Sequence, residues 1–246
     1  MKQFKFLAIM LVASGTVFLF ACGSGGGKKT EETATDSSKT KQAETVPEST
    51  APAMPAHIVV VRHRVANYSK WKAGYDGHDS ARRAAGLSNY VLARGLAKDS
   101  NMVMVVLKAD NVVKAKEFAS SKDLGDIMKK AGVVGQPAID YIDVVMDDNS
   151  KIPQTERLMV THRVKDWDTW KQVFDSHKQA RMDAGLIDRA LGYSSGDRHN
   201  VSIVFAVTDR AKAKAFIASK DLKDKMTEAG VEGPPTFFFY NIVQIY

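Results

Sequence analysis

Two stretches of the sequence, residues 57–148 and 157–246, repeat each other at a nearly constant offset. At an offset of 99 residues the coinciding pairs include Val61/Val160, His63/His162, Trp71/Trp170, His78/His177, Arg82/Arg181 and Gly86/Gly185. After a one-residue deletion the matches continue with Ser121/Ser219, Asp123/Asp221, Met128/Met226, Gly132/Gly230 and Pro137/Pro235. A repeat of this length predicts two copies of one small domain, joined by a linker at residues 149–156.

Each copy has the pattern of strands and helices of a small α+β domain. In the first copy the pattern predicts a strand at 58–65, a helix at 68–85, a hairpin of 88–97 and 102–108, a helix at 112–131 that is notched near 120–123, and a strand at 138–146. This βαββαβ order predicts the ferredoxin-like fold. Because both helices cover one face of such a sheet, we expect the second copy to cover the other face. The two sheets would then pack as a barrel within one chain.

The first 21 residues resemble an export signal. A basic start precedes an apolar run at residues 6–21, which is shorter than the roughly 20 residues of a comfortable bilayer span. The run ends in Leu-Phe-Ala-Cys at Cys22, which resembles a bacterial lipobox, and acyl chains such as palmitate on that cysteine would anchor the protein. We therefore expect a lipoprotein of the bacterial cell envelope, anchored to a membrane through Cys22, with its domains outside the cytoplasm. The alternative is an ordinary secretory signal followed by an incidental cysteine.

Residues 22–56 have the composition of a flexible tether. Glycine, serine, lysine, glutamate and threonine dominate the segment, which can bury too little apolar surface to offset the entropy of ordering. A flexible chain of this length reaches on the order of 30 Å, enough to hold the domains just clear of a membrane. Cys22 is the only cysteine, so the repeats contain neither a disulfide nor a thiolate metal ligand.

The charge of the chain does not favour a nucleic-acid partner. The formal net charge is +7, from 35 lysines and arginines against 28 aspartates and glutamates. The acids are interspersed among the bases, and no basic stripe stands alone. Such a pattern is typical of a solvated mixed surface.

Side chains that can carry chemistry share one face of the first strand and the first helix. His63 alternates with valines along the strand, so it lies on the apolar strand face. Trp71, Tyr75, His78 and Arg82 follow at i, i+4, i+7 and i+11, which places them on one helix stripe. If these faces meet, a polar cluster forms in apolar surroundings, as in small-molecule pockets. The ligand-binding candidates are therefore His63, Trp71, His78 and Arg82 in the first copy and His162, Trp170, His177 and Arg181 in the second.

Each candidate also has a structural interpretation. A buried histidine can simply satisfy a backbone carbonyl, and tryptophans such as Trp71 are more often core residues than cofactor platforms. A metal site is not predicted, because His63 and His78 lack a third ligand on the same stripe. Arg62 and Arg64 lie on the opposite strand face, where they either line the barrel interior or lie at its solvent rim.

The motifs of the first strand and both helices resemble a known superfamily. The string His-Arg-Val, followed by Trp-Lys, Asp-x-His, Arg and Ala-Gly-Leu, resembles the dimeric α/β-barrel superfamily. It is most similar to small antibiotic biosynthesis monooxygenase-like or cyclase-like bacterial proteins, and the Lys-Asp-Leu and Ala-Gly-Val block supports this. The resemblance covers both copies. It implies an intrachain pseudo-dimer, and the superfamily includes cofactor-independent oxygenases, haem-degrading enzymes, isomerases and ligand-binding modules.

Two functions follow as expectations. The first is a membrane-anchored protein that binds a small aromatic or haem-like ligand or, as a cofactor-independent monooxygenase-like enzyme, oxidises it. No cofactor is required, and haem is the one that the resemblance allows, although the Asn, Trp and His trio of the haem-degrading members does not map onto this sequence. The second is a non-enzymatic cell-envelope scaffold or partner-binding module whose histidines are structural.

Overall fold

A computed structural model describes residues 57–246. The predicted signal at 1–21, the lipidation site Cys22 and the tether at 22–56 lie outside the described residues. Within the described residues, no helix combines the length and apolar character needed to cross a bilayer.

Eight antiparallel strands form one closed barrel. The strands are β1 (His57–Val65), β2 (Leu87–Gly95), β3 (Met102–Ala109), β4 (Val133–Asp147), β5 (Glu156–Val164), β6 (Leu186–Ser194), β7 (Asp197–Val207) and β8 (Val231–Ile245). Their order around the barrel is β1-β3-β2-β8-β5-β7-β6-β4. Each copy therefore contributes one four-stranded sheet, and the two sheets pack face to face as the sequence predicts.

Within residues 57–246, eight α-helices and a short 3₁₀ helix at Ala97–Asp99 join the strands. The α-helices are α1 (Tyr68–Gly77), α2 (Asp79–Ala84), α3 (Val112–Ala119), α4 (Lys122–Ala131), α5 (Trp167–Ser176), α6 (Lys178–Asp183), α7 (Arg210–Ile217) and α8 (Lys220–Glu228). Asn67 and Asp166 cap α1 and α5, because each side chain accepts a hydrogen bond from a backbone N–H in the first turn. Gly86 and Gly185 follow α2 and α6 with φ of 71° and 74°, a left-handed conformation that favours glycine.

The two sheets meet at two seams, where β2 pairs with β8 and β4 pairs with β6. Gly192 lies at the second seam, and a side chain there would collide with the carbonyl oxygen of Asp143. Every strand thus has two hydrogen-bonded neighbours within residues 57–246, which leaves no open sheet edge in this part of the chain. Since the sheet and its hydrophobic clusters are complete there, we expect residues 57–246 to fold without the preceding segment.

Three hydrophobic clusters fill the described residues. Two of them lie between a sheet and its own helices, one in each copy, around Trp71 and Trp170. The third lies inside the barrel and includes Val60, Met104 and Tyr240. The alternation along β1 explains the division, because Val59, Val61 and His63 face the helices while Val60 faces the barrel interior.

The first helix differs from its predicted extent. It is interrupted at His78, which has φ −102° and ψ 16°, so that α1 and α2 replace one continuous helix at 68–85. The interruption has a partner that stabilises it: the Arg82 guanidinium donates a hydrogen bond of 2.7 Å to the Tyr75 carbonyl oxygen. The same interruption occurs at His177, and Arg181 donates to the Phe174 carbonyl oxygen.

The last strand of the first copy begins earlier than the predicted 138–146. Strand β4 starts at Val133 and passes through Pro137. Proline lacks an N–H and is tolerated in a sheet mainly at edges and bulges. The pairing of β1 with β4 shifts register between Arg62 and Arg64, and Pro137 lies at that irregularity.

Candidate functional site

The first copy has a cavity between its sheet and its helices. The cavity measures about 80 Å³ and is lined mainly by apolar side chains of β1, β3 and the four helices. The four candidates of this copy, His63, Trp71, His78 and Arg82, all line it. The predicted strand face and helix stripe therefore do meet, although the stripe crosses the interruption between α1 and α2.

The second copy has the matching cavity. It also measures about 80 Å³, and its lining includes His162, Trp170, His177 and Arg181. The structure thus brings together all the members of each candidate set, and their ligand-binding role stays a prediction. We call these two cavities the sheet–helix pockets.

His63 and His162 are the inner polar groups of the sheet–helix pockets. In both residues the two ring nitrogens are buried and make no hydrogen bond within residues 57–246. Each ring leans against a tryptophan, with centroids 5.5 Å apart for His63 and Trp71 and for His162 and Trp170. Burial lowers the pKa of each imidazole to about 4. At neutral pH each ring is therefore uncharged, with one N–H donor and one acceptor nitrogen.

His78 and His177 lie nearer the surface, at the ends of α1 and α5. The His78 ring stacks on Phe118 with centroids 6.1 Å apart. His177 contacts Phe216 and lies 2.9 Å, through Nε2, from the Asp221 carboxylate. Both imidazoles line the outer part of the pockets, and the imidazole of His177 has the Asp221 carboxylate as a hydrogen-bond partner.

Arg82 and Arg181 stabilise the helix interruption. The Arg181 guanidinium lies over the Phe174 ring at 3.6 Å and donates to both carboxylate oxygens of Asp188, at 2.9 and 2.7 Å. In the first copy Asn89 stands where Asp188 stands in the second. Arg82 reaches Asp79 instead, at 3.3 Å, and its Nε is buried without a partner in the described residues. Structural contacts thus use three of the five N–H donors of Arg181 and two of the five of Arg82.

Trp71 and Trp170 are core residues as well as pocket walls. Each is 3% exposed. Trp71 stacks on Tyr75 with centroids 5.1 Å apart, and Trp170 stacks on Phe174 at 5.0 Å. Removing either indole would therefore open the centre of a hydrophobic cluster.

The sheet–helix pockets do not have the room for a haem. An imidazole such as His63 or His162 is a common haem ligand. Each of these cavities, however, measures about 80 Å³. Pockets that hold drug-sized ligands measure roughly 300–1,000 Å³, and a tetrapyrrole needs a volume in that range. Within the described residues, no group of three or more His, Cys, Asp or Glu side chains is placed to hold a metal ion.

The sequence pattern did not single out a larger cavity inside the barrel. It measures about 600 Å³, and its lining includes the buried Arg157, Arg189 and Tyr240. A signal was present, since Arg157 occupies the position of Ile58 in an otherwise matching apolar strand. Arg62 and Arg64, in contrast, lie toward the rim, where they pair with Asp140 at 2.9 Å and Asp99 at 3.0 Å.

Comparison with known proteins bears on the fold. No protein-family model matches the sequence, and no curated protein matches it significantly. A candidate monooxygenase of Fusobacterium nucleatum subsp. nucleatum is similar in structure, with a TM-score of 0.51 and 12% identity over 78% of this chain and 95% of the other. An anthrone oxidase-like protein has the same TM-score and identity, over 78% and 93%.

A candidate chlorite dismutase is also similar, with a TM-score of 0.50 and 16% identity over 76% of this chain and 94% of the other. At such identities the similarity concerns the fold rather than the activity. Together with the strand order, it shows that residues 57–246 have the fold of a dimeric α/β barrel, here closed by two repeats of one chain.

Proposed function

We propose that the chain is a small-molecule-binding protein, held at a membrane by a lipid on Cys22, that binds one phenol-like ligand in each sheet–helix pocket. The observation that carries the proposal is the pair of neutral, buried imidazoles of His63 and His162. Each faces an apolar cavity without a hydrogen-bond partner in the described residues.

An unpartnered buried imidazole costs free energy that a ligand can recover. Leaving a buried polar group without a hydrogen bond costs about 1–3 kcal/mol. A ligand hydroxyl that donates to the acceptor nitrogen, or accepts from the ring N–H, supplies the missing bond. The rest of the lining is apolar or aromatic, so the body of the ligand should be apolar too.

The volume of the pockets limits the ligand to about one ring. An engineered apolar cavity of about 150 Å³ binds benzene, and the sheet–helix pockets measure about 80 Å³ each. Met128 and Met226 line the two pockets at matching positions. Because methionine side chains are unbranched and adaptable, a shift of these two can enlarge the pockets to admit a single phenol ring.

Binding of phenol and benzene to residues 57–246 tests the proposal. We expect phenol to bind about tenfold or more tightly than benzene, because only phenol offers the missing hydrogen bond. The double variant His63→Phe with His162→Phe should lose this preference. His57→Phe is the matched control, since His57 lies on β1 outside the pocket lining and should leave the preference unchanged.

Titration calorimetry, supported by the fluorescence of Trp71 and Trp170, reads these affinities. Equal affinities for phenol and benzene in the unaltered protein would count against the proposal, as would a preference that survives in the double histidine variant. Oxygen uptake with hydroquinone, abolished in the same variant, would add catalysis to binding.

The lipid anchor has its own test. In a bacterial host fed radiolabelled palmitate, we expect the full chain to carry label and the Cys22→Ser variant to carry none, because Cys22 is the only thiol. Label on the Cys22→Ser chain, or an unlabelled unaltered chain, would refute the anchor and leave an ordinary secretory signal as the explanation.

A further inference from the structure

The interior of the barrel holds a cavity of a size typical of ligand sites. The cavity measures about 600 Å³, within the range of roughly 300–1,000 Å³ of small-molecule pockets. We call it the lumen. Closed eight-stranded barrels are just wide enough either to fill with side chains or to hold one small ligand. The apolar part of the lumen wall includes Ile58, Val60, Met104, Ile142, Met159 and Val204.

Two buried arginines line this otherwise apolar space. Arg157 and Arg189 are each 6% exposed. The Arg157 guanidinium donates to the neutral carbonyl oxygens of Gln154 and Glu156, at 2.6 and 3.1 Å. Burial lowers the pKa of Arg157, the nearby Tyr240 opposes this fall, and the positive charge of Arg189 adds to it.

Acidic groups neutralise this positive charge only in part. Asp148 pairs with Arg189 at 2.9 Å, and the Asp148 side chain is 44% exposed. Asp147, which also lines the lumen, accepts a hydrogen bond of 2.6 Å from the Tyr90 hydroxyl. The Nε of Arg189 is buried and donates no hydrogen bond within residues 57–246. The remaining charged group of the lining is Lys151, so bases exceed acids there by three to two.

The internal repeat shows that the fold does not require these arginines. At the repeat offset, Arg157 corresponds to Ile58, and Arg189 corresponds to Tyr90. The first copy thus builds the same strands, facing the same lumen, without a positive charge at either position. A buried guanidinium is costly to desolvate, so its presence in only one copy calls for a specific cause.

The linker at residues 149–156 offers one such cause. Arg189 donates to the Ser150 carbonyl oxygen at 2.6 Å, and Arg157 donates to Gln154, so both arginines hold the linker over the lumen. These contacts leave the apolar lumen and the buried Nε of Arg189 unexplained. Tyr240 adds a polar group in the lumen, and because burial raises the pKa of its hydroxyl, that hydroxyl stays protonated and can donate.

We propose that the lumen binds an organic carboxylate with a long apolar chain, a fatty-acid-type anion. Its carboxylate lies at Arg157 and Arg189 beneath the linker, and its chain lies along the apolar wall. This site is separate from the sheet–helix pockets, which are on the other face of each sheet. The proposal does not depend on the phenol-binding function.

Titration calorimetry on residues 57–246 with dodecanoate, decanoate and dodecanol tests the proposal. We expect one dodecanoate per chain, bound about tenfold or more tightly than dodecanol, because only the anion forms charge-assisted hydrogen bonds. Each methylene should contribute about fourfold in affinity, so decanoate should bind about 15-fold more weakly than dodecanoate.

Two variants separate the roles of charge and space. Arg157→Met should weaken dodecanoate at least about tenfold and leave dodecanol unchanged, whereas Arg157→Lys should retain part of the preference for the anion. Val204→Trp leaves both arginines in the sequence and fills part of the apolar lumen, and it should abolish the binding of both ligands. The double variant His63→Phe with His162→Phe should bind dodecanoate normally.

Circular dichroism and thermal melting show that each variant is folded before its affinities are compared. Equal binding of dodecanoate and dodecanol would overturn the proposal. So would dodecanoate affinity that is unchanged in Val204→Trp or lost in the double histidine variant. A lower melting temperature of Arg157→Met with no change in the preference for the anion would assign this arginine to the linker alone.

Discussion

Acidification from pH 7 to pH 4 should cost the barrel about 6 kcal/mol of unfolding free energy through two residues, His63 and His162. Burial lowers the pKa of each imidazole from 6.5 to about 4 in the folded protein. One pKa unit corresponds to about 1.4 kcal/mol, so each imidazole contributes about 3 kcal/mol. This is a large part of the 5–15 kcal/mol that typically stabilises a domain.

The direction follows from proton counting. Between pH 6.5 and pH 4 the unfolded chain binds protons at these two positions, while the folded barrel keeps both rings neutral. Protons therefore favour the unfolded state, and stability falls as the pH drops through this window. Well above pH 6.5 and well below pH 4 the contribution of these two residues no longer changes with pH.

Urea unfolding at a series of pH values, on residues 57–246 and on the double variant His63→Phe with His162→Phe, measures the effect. The difference in unfolding free energy between the two proteins isolates these histidines from all other titrating groups. We expect the variant to be at least as stable as the unaltered protein at pH 7, because it removes two unpartnered polar groups. Below pH 6.5 its unfolding free energy should exceed that of the unaltered protein by a steadily growing amount. A parallel pH dependence of the two proteins would contradict this, and a clear loss of stability at pH 7 would favour the scaffold with structural histidines.

Asp188→Ala is the second substitution with a large expected effect, a loss of about 3–5 kcal/mol of unfolding free energy. Its side chain, 14% exposed, pairs with that of Arg181, which is 5% exposed. Without Asp188 the buried guanidinium has no ion-pair partner, and breaking a buried pair from one side leaves an uncompensated charge. Thermal or urea unfolding measures the loss.

The first copy supplies a matched control. Asn89→Ala changes the corresponding residue, which accepts a hydrogen bond from the Tyr75 hydroxyl and donates one to the Asp79 carboxylate. Because no ion pair is broken, this substitution should cost only about 1–2 kcal/mol of unfolding free energy. The double variant Arg181→Met with Asp188→Leu removes both charges and should recover most of the stability. Equal losses for Asp188→Ala and Asn89→Ala would show that the pair is not a buried structural ion pair.

Much of the fold could be predicted because the same pattern of strands and helices occurs in both copies. Periodicity in one copy is ambiguous at its ends, but a pattern that recurs at a fixed offset identifies the βαββαβ unit and the need for a second sheet. The interruption at His78 could not be predicted from the helix stripe, since Arg82 satisfies the carbonyl of Tyr75 only through a tertiary contact. The early start of β4 at Val133 depends on a register shift that local propensity does not report.

The residues of the candidate site could be predicted from the sequence, but their hydrogen-bond partners and charge states could not. Strand alternation and helix spacing placed His63, His78 and Arg82 around one cavity. Those rules carry no information on hydrogen-bond partners, so they could not distinguish Arg181, which is held by Asp188, from His162, which has no partner in the described residues. The lumen could not be predicted from either copy alone, because its wall combines residues of both copies that are far apart in sequence.

The most direct test of the sheet–helix pockets is the ¹⁵N NMR spectrum of the six histidine rings in residues 57–246, recorded at pH 5.5 with and without phenol. An imidazole with a pKa of about 4 is still neutral at this pH, and one near 6.5 is mostly protonated. We predict that His63 and His162 give the signals of neutral rings. Phenol should shift the ring-nitrogen signals of these two residues and leave those of the other histidines unchanged. Protonated signals from both residues at pH 5.5, or signals that phenol leaves unchanged, would contradict the account.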